Sequence, residues 1–265
     1  MEGRIVTKTN EASRVAEIGT IKVGRKEKRG GKEIPVSTDY FIADGKYKSK
    51  FYDVYEPEPS KIEIFFPSDD IRQVCNERLE LRSSKNYDGV GGRLLAFGDG
   101  ENFDVWAKNK GVYVPIKASE KPELINEMAE KAGTEWYSVL TLRFMILKIK
   151  GVWGFWRFST KAEASSIPQI INTFDYMKEV TGANFVKIPF DLIVTKVVSQ
   201  KPGTQHSYPI VNLIPHTSQE QLEKVADMTG EIKGLLTSDK IDHYIEDKSN
   251  DTSSHDTINE QMTLL

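Results

Sequence analysis

"WYSVLTLRFMILKIKGVWGFWRFST" occupies Trp136–Thr160 and is the most apolar stretch of the chain. It reads as two long strands, Tyr137–Lys148 and Val152–Ser159, joined around Lys150 and Gly151. The second carries Trp153, Phe155, Trp156 and Phe158, which puts aromatic rings on both faces. Two accounts follow. A central strand buried on both sides reads as an unbroken apolar run. If the rings are instead exposed, Trp153 and Trp156 beside Arg157 form a platform on which nucleic-acid bases stack.

Working back towards the N-terminus, "KPELINEMAEKAG" is a short helix that Gly133 stops. "RLLAF" and "FDVWAK" are strands on either side of Gly98-Asp99-Gly100. A phosphate cradle needs its glycine-rich loop to open a helix, and here an alternating strand pattern follows. A calcium loop needs more spaced oxygen ligands and a distal glutamate. The residues alone therefore make Gly98, Asp99 and Gly100 a structural hairpin turn, since glycine takes positive φ cheaply and aspartate bonds its own backbone.

Further upstream, "KIEIFF" alternates like a half-buried strand. Ile71, Val74, Cys75 and Leu79 fall at helical spacing after Ser68, Asp69 and Asp70, which predicts a short capped helix with Cys75 as a small core residue. "TIKVGRKEKRGGKEIPVSTDYFIADG" pairs two apolar runs across a basic, glycine-containing turn. That is a long hairpin with Arg25, Lys26, Lys28, Arg29 and Lys32 near its tip. It is either a solvated loop or a basic finger that touches nucleic-acid phosphates or an acidic partner.

Beyond Thr160 the period changes. Ile167, Ile170, Ile171, Phe174 and Met177 mark an amphipathic helix over Ala162–Val180, with Pro168 tolerated only in its first turn and Gly182 as its stop. "IPFDLIVTKVVSQ" and "SYPIVNLIPHT" are two further strands, and "SQEQLEKVADMTGEIKGLL" opens with a capping-box pattern and forms a second helix. From Ser238 the chain turns acidic and polar, the composition of a flexible tail. The expected fold is α+β: a mainly antiparallel sheet or partly open barrel with two principal helices packed on it. Residues 1–237 are expected to form one domain, with 1–120 and 135–236 as alternative sub-cores, and 238–265 its tail.

Composition narrows function mainly by exclusion. The 265 residues are 38% apolar and 28% charged, with a net charge of -3, so wholesale polyanion binding is not expected, although a local basic patch is allowed. No apolar run approaches the roughly 18 residues of a membrane helix, and the first residues lack a signal-peptide pattern. The cytoplasm is the expected location. The lone Cys75 excludes an intramolecular disulfide and a cysteine-based zinc cage. His206, His216, His243 and His255 all lie in the last quarter and form no short metal-binding pair. No nucleophile elbow or Walker sequence is present. The remaining metal arrangement is a spatial convergence of Asp69, Asp70, Asp99 and Glu101. No catalytic set, metal or cofactor is expected.

Five ordered pieces carry a resemblance: "AEIGTIKVGRKEKRGGKEIPVSTDYF", "KIEIFFPSDD", "RLLAFGDGENF", "GFWRFSTKAEASSIPQIINTFDYMKEVTG" and "VKIPFDLIVTKVVSQKPGTQHSYPIVNLIP". Over roughly residues 17 to 216 the chain resembles the large recombination directionality factors of serine-integrase phages and their bacterial and prophage relatives. The resemblance implies a non-enzymatic regulator that binds the integrase, often already on DNA, and favours excision over integration. Many relatives carry a cysteine cluster after the "GDG" turn; this chain has "VYVPIKASEKPELINEMAEKAGTEW" there. The rival readings are a single-strand nucleic-acid-binding module and a metal-dependent hydrolase whose ligand set is missing.

Overall fold

The computed structural model describes residues 16–182, 185–186, 188–199 and 206–216. The N-terminal third begins with β1 (Glu17–Lys22), β2 (Arg25–Arg29), β3 (Lys32–Val36) and β4 (Ile42–Asp44), and continues through α1 (Lys48–Tyr52), β5 (Lys61–Phe65) and α2 (Ile71–Val74). The middle holds β6 (Cys75–Arg82), α3 (Lys85–Asp88), β7 (Leu94–Gly98), β8 (Asn102–Ala107), β9 (Val112–Lys117) and α4 (Pro122–Ala132). The remainder is β10 (Tyr137–Ile146), β11 (Phe155–Thr160), α5 (Ser166–Thr181), β12 (Pro189–Val198) and β13 (Ser207–Pro215).

β10 is the spine of an 11-stranded sheet. One edge pairs antiparallel with β11, which pairs parallel with β1, and β1 pairs antiparallel with β4. The other edge forks. Tyr137–Leu142 pair with β6, whereas Met145 and Ile146 pair with β5. From β6 the sheet runs on through β7, β8 and β9; from β5 it runs through β12 to β13. The sheet is therefore open and mixed, not a closed barrel, with β1–β11 as its parallel pairing. The β2–β3 ribbon forms a separate two-stranded sheet.

Alternation along β10 decides where the core lies. Leu140, Leu142, Phe144 and Ile146 point to one face and are buried, and their cross-strand neighbours Phe158 and Trp156 join them. α5 closes this face with Ile167, Ile170, Phe174 and Met177, while Thr173 donates to the Leu213 carbonyl (2.8 Å) and Ser166 accepts from the Val211 amide (2.9 Å). Gly182, at φ 64°, ends the helix in the left-handed conformation. A smaller cluster of Leu81, Ala96 and Ala132 packs α4 against β6 and β7.

Three expectations shift. "IRQVCNERLEL" gives only one helical turn, α2, which Asp70 caps by accepting from the Arg72 amide. From Cys75 the period is two, and pairing with β10 makes the segment a strand. The strand expected from Val152 begins at Phe155, because Gly151 and Gly154 both hold positive φ ahead of it. β11 is buried on its core face alone rather than on both sides. "VYVPIK", for which no element was expected, is the strand β9. The helix expected at 218–236 and the acidic tail lie outside the described residues.

Candidate macromolecular interface

The β2–β3 ribbon turns at Gly30 and Gly31, both at positive φ, a two-residue connection that suits a twisted hairpin. Its cations are largely engaged by its own acids. Glu27 holds Arg25 at 2.9 Å and Arg29 at 3.1 Å, and Glu33 holds Lys26 at 3.2 Å. Arg25 also donates to the Tyr40 hydroxyl at 2.8 Å. Lys28 is exposed and makes no ion pair among the described residues. Lys32 stands opposite Arg29 in the ladder. Beneath the ribbon lies an open groove of about 960 Å³ lined by Lys22, Arg25, Lys26, Lys48, Asp44 and Ser159, among others.

The two tryptophans separate. Trp156 is 1% exposed and belongs to the core, so it offers no surface to a partner. Gly19 makes room for it: a Cβ at that position would sit 2.4 Å from the indole. Trp153 lies in the turn before β11 and is 77% exposed. It lines a pocket of about 320 Å³ with Ile18, Phe65, Leu147 and Val152, and Leu147 is itself exposed.

Arg157 faces away from the core, and here the structure reveals a site that the sequence reading missed. The solvent face of β6, β10 and β11 presents Arg78, Arg82, Arg143, Arg157 and Lys161 in one groove of about 590 Å³, against Glu17 and Glu80. Arg143 and Arg157 are directly opposed across the β10–β11 ladder. Glu80 is 3% exposed and bridges Arg78 (2.7 Å) and Arg82 (2.9 Å). Burial pushes its carboxyl up, but hydrogen bonds from the two guanidinium groups outweigh this and hold it below the usual carboxylate range. Arg78 also lies 4.5 Å from the Phe97 ring centroid, Lys161 lies 3.7 Å from that of Tyr137, and Glu17 fixes Arg157 at 3.0 Å. The signal was present as alternation: Arg78, Glu80 and Arg82 are spaced by two, as are Arg157, Ser159 and Lys161.

Of the carboxylates considered for a metal, those of Asp69, Asp70 and Asp99 have structural partners. Gly98-Asp99-Gly100 joins β7 to β8, and the Asp99 carboxylate accepts from the amides of Glu101 (2.9 Å) and Asn102 (2.6 Å). These bonds lower its carboxyl below the usual range. Gly98 is required by close approach, since a Cβ there would lie 2.2 Å from the Asn102 carbonyl oxygen. Asp69 instead accepts from the amides of Phe185 (2.7 Å) and Val186 (2.9 Å). His216 and Lys61 both contact the Asp191 carboxylate. Among the described residues, no three His, Cys, Asp or Glu side chains gather to hold a metal. Burial pushes the Cys75 thiol up to about 12, which leaves no thiolate near neutral pH. A further groove of about 620 Å³ is lined by Tyr87, Trp106 and Tyr113 with Arg93, Lys108 and Lys131.

Comparison with protein families matches residues 18–216 to the Gp3-like family, described as recombination directionality factor-like. The chain belongs to this family. The matched span begins in β1 and ends just past β13, so it takes in the described sheet except for Glu17, both hydrophobic clusters and nearly all of every surface above. Membership supports a role in DNA recombination with a recombination-related partner. Comparisons with curated proteins and with solved structures give no match. No helix among the described residues is long and apolar enough to cross a membrane.

Proposed function

We propose that this chain is a non-enzymatic recombination directionality factor that binds a serine integrase in the bacterial cytoplasm and shifts it from integration to excision. The observation that carries the reading is the family match across residues 18–216. Such a factor forms and breaks no covalent bond. It moves an equilibrium between two synaptic arrangements only as far as its affinities for them differ. Reversing a 1:99 preference to 99:1 takes a difference of roughly 10⁴ in affinity. Trp153 is the proposed anchor, because a large exposed ring beside a shallow apolar pocket has the character of an interface hot spot.

The test is capture of the purified chain by the serine integrase encoded nearby, followed by excision in vitro on paired attachment sites. Capture with stimulated excision is expected, and Trp153→Ala should weaken both by about tenfold or more. No capture and no effect on excision removes the reading.

A second reading, a single-strand nucleic-acid-binding module, is favoured by the Tyr87–Trp106–Tyr113 groove. Exposed rings beside cations suit base stacking. Its mark is tight oligonucleotide binding that Trp106→Ala weakens, without any integrase.

A further inference from the structure

We propose that the arginine-lined face of β6, β10 and β11 is a binding site for the phosphate backbone of duplex DNA. The inference deepens the recombination reading and rests on it only for which DNA is met.

Local charge is the first support. The groove sets five cations against two carboxylates, within a chain whose total is -3. The excess is therefore local rather than a general property of the surface, and the adjoining groove under the ribbon, with Lys22, Arg25, Lys26 and Lys48 against Asp44, extends it. Its composition is the second support. Four of the five cations are arginines, whose planar forks match phosphate oxygens. Buried Glu80 holds two of them from below, and Glu17 holds a third. A guanidinium that is already fixed loses less freedom when it meets an anion. Arg143 and Arg157 stand directly opposed across the ladder, so one anion can reach both guanidinium groups.

The rings near the groove decide between backbone and bases. Phe97 lies under the Arg78 guanidinium and Tyr137 under the Lys161 ammonium. Stacking faces are thus taken by cations, while guanidinium N–H groups line the groove, together with the hydroxyls of Thr160 and of the hydrogen-bonded pair Thr141 and Ser159. Width points to a duplex. Ser159 lines both this groove and the one under the ribbon, so the track continues from β6 across β10, β11 and β1 to β4. Four strand spacings of ~4.8 Å give about 19 Å. A major groove of ~12 Å places the phosphates of both strands within that span.

The experiment is fluorescence anisotropy of the full chain with a labelled duplex of arbitrary sequence, about 30 base pairs or three helical turns long. Salt is varied between about 50 and 200 mM. Expected is binding that weakens with a log–log slope of about -3 to -5. Arg143→Gln combined with Arg157→Gln should raise Kd about tenfold and flatten the slope by about 2. Lys161→Gln gives an independent, milder version should the double variant fail to fold. Lys110→Gln removes one charge outside the groove and should change Kd less than about twofold.

No binding at the lowest salt overturns the proposal, and so does a loss with Lys110→Gln as large as that with Lys161→Gln. Displacement of the duplex by inorganic phosphate at an equal concentration of phosphate groups also overturns it, because the face is then an isolated anion site. If the double variant binds duplex normally but is no longer captured by integrase, the face takes an acidic protein surface instead. Capture of the unaltered chain by integrase without DNA reads the directionality reading separately: either result can fail while the other stands.

Discussion

Glu80 is a residue whose removal distinguishes architecture from chemistry. Its carboxylate is buried in the exposed-face groove and holds Arg78 and Arg82 together. Glu80→Gln keeps the shape and leaves two guanidinium groups underpaired, at a cost of about 1–3 kcal/mol in stability. The carboxyl is held below its ordinary 4.5 in the folded state. Its contribution is therefore complete above that value and is lost as pH falls through the lower folded-state value. Denaturation of both proteins at neutral pH and near pH 3 should show a stability gap that narrows in acid; a gap independent of pH would assign the effect to packing. Trp156→Ala, in contrast, should cost about 3–5 kcal/mol at any pH, since it opens a cavity in the core. Trp153→Ala should leave the unfolding midpoint nearly unchanged. Two tryptophans three residues apart differ because Gly154 turns the chain between them, with φ 153°. Composition and spacing do not reveal which of the two is buried.

At the scale of elements, what was legible in the sequence follows how far each element's pattern depends on its neighbours. α5 was readable because five apolar residues at helical spacing and a terminal glycine specify it locally, and it runs Ser166–Thr181. β10, β12 and β13 were readable as long apolar runs. β6 was not: a helical spacing of Ile71, Val74 and Cys75 precedes a two-residue alternation, and only pairing with β10 settles where one gives way to the other. The arginine face was hidden for a related reason. Its members come from segments about 65 and 80 residues apart, and the ladder brings them onto one surface. The ribbon shows the converse. Its basic residues stood out in the sequence, yet Glu27 and Glu33 engage much of that charge. Because β2 and β3 form their own two-stranded sheet, replacing residues 25–36 by a short glycine link should shift the unfolding midpoint by no more than a few degrees. A collapse of the fold in circular dichroism would mean that the ribbon supports β1 and β4.

Across the whole molecule, the exposed Trp153 and the arginine face sit on one sheet, at opposite ends of the β10–β11 pair. Trp153 precedes β11 near the Phe144–Trp156 end of the ladder, while Lys161 follows it at the Leu140–Thr160 end. A rigid scaffold that offers one surface to a protein and another to that protein's DNA gains from both contacts at once, because the second becomes intramolecular. The chain should therefore bind an integrase–attachment-site complex more tightly than free integrase, by about tenfold or more. In surface plasmon resonance, Arg143→Gln with Arg157→Gln should erase that excess and leave affinity for free integrase unchanged. Trp153→Ala should weaken both by the same factor. By linkage, the chain must then tighten the integrase's hold on whichever DNA arrangement it favours, and by an equal factor. If the excess survives in the arginine variant, the added affinity comes from a DNA-induced change in the integrase, and the sheet serves as a protein-binding surface alone.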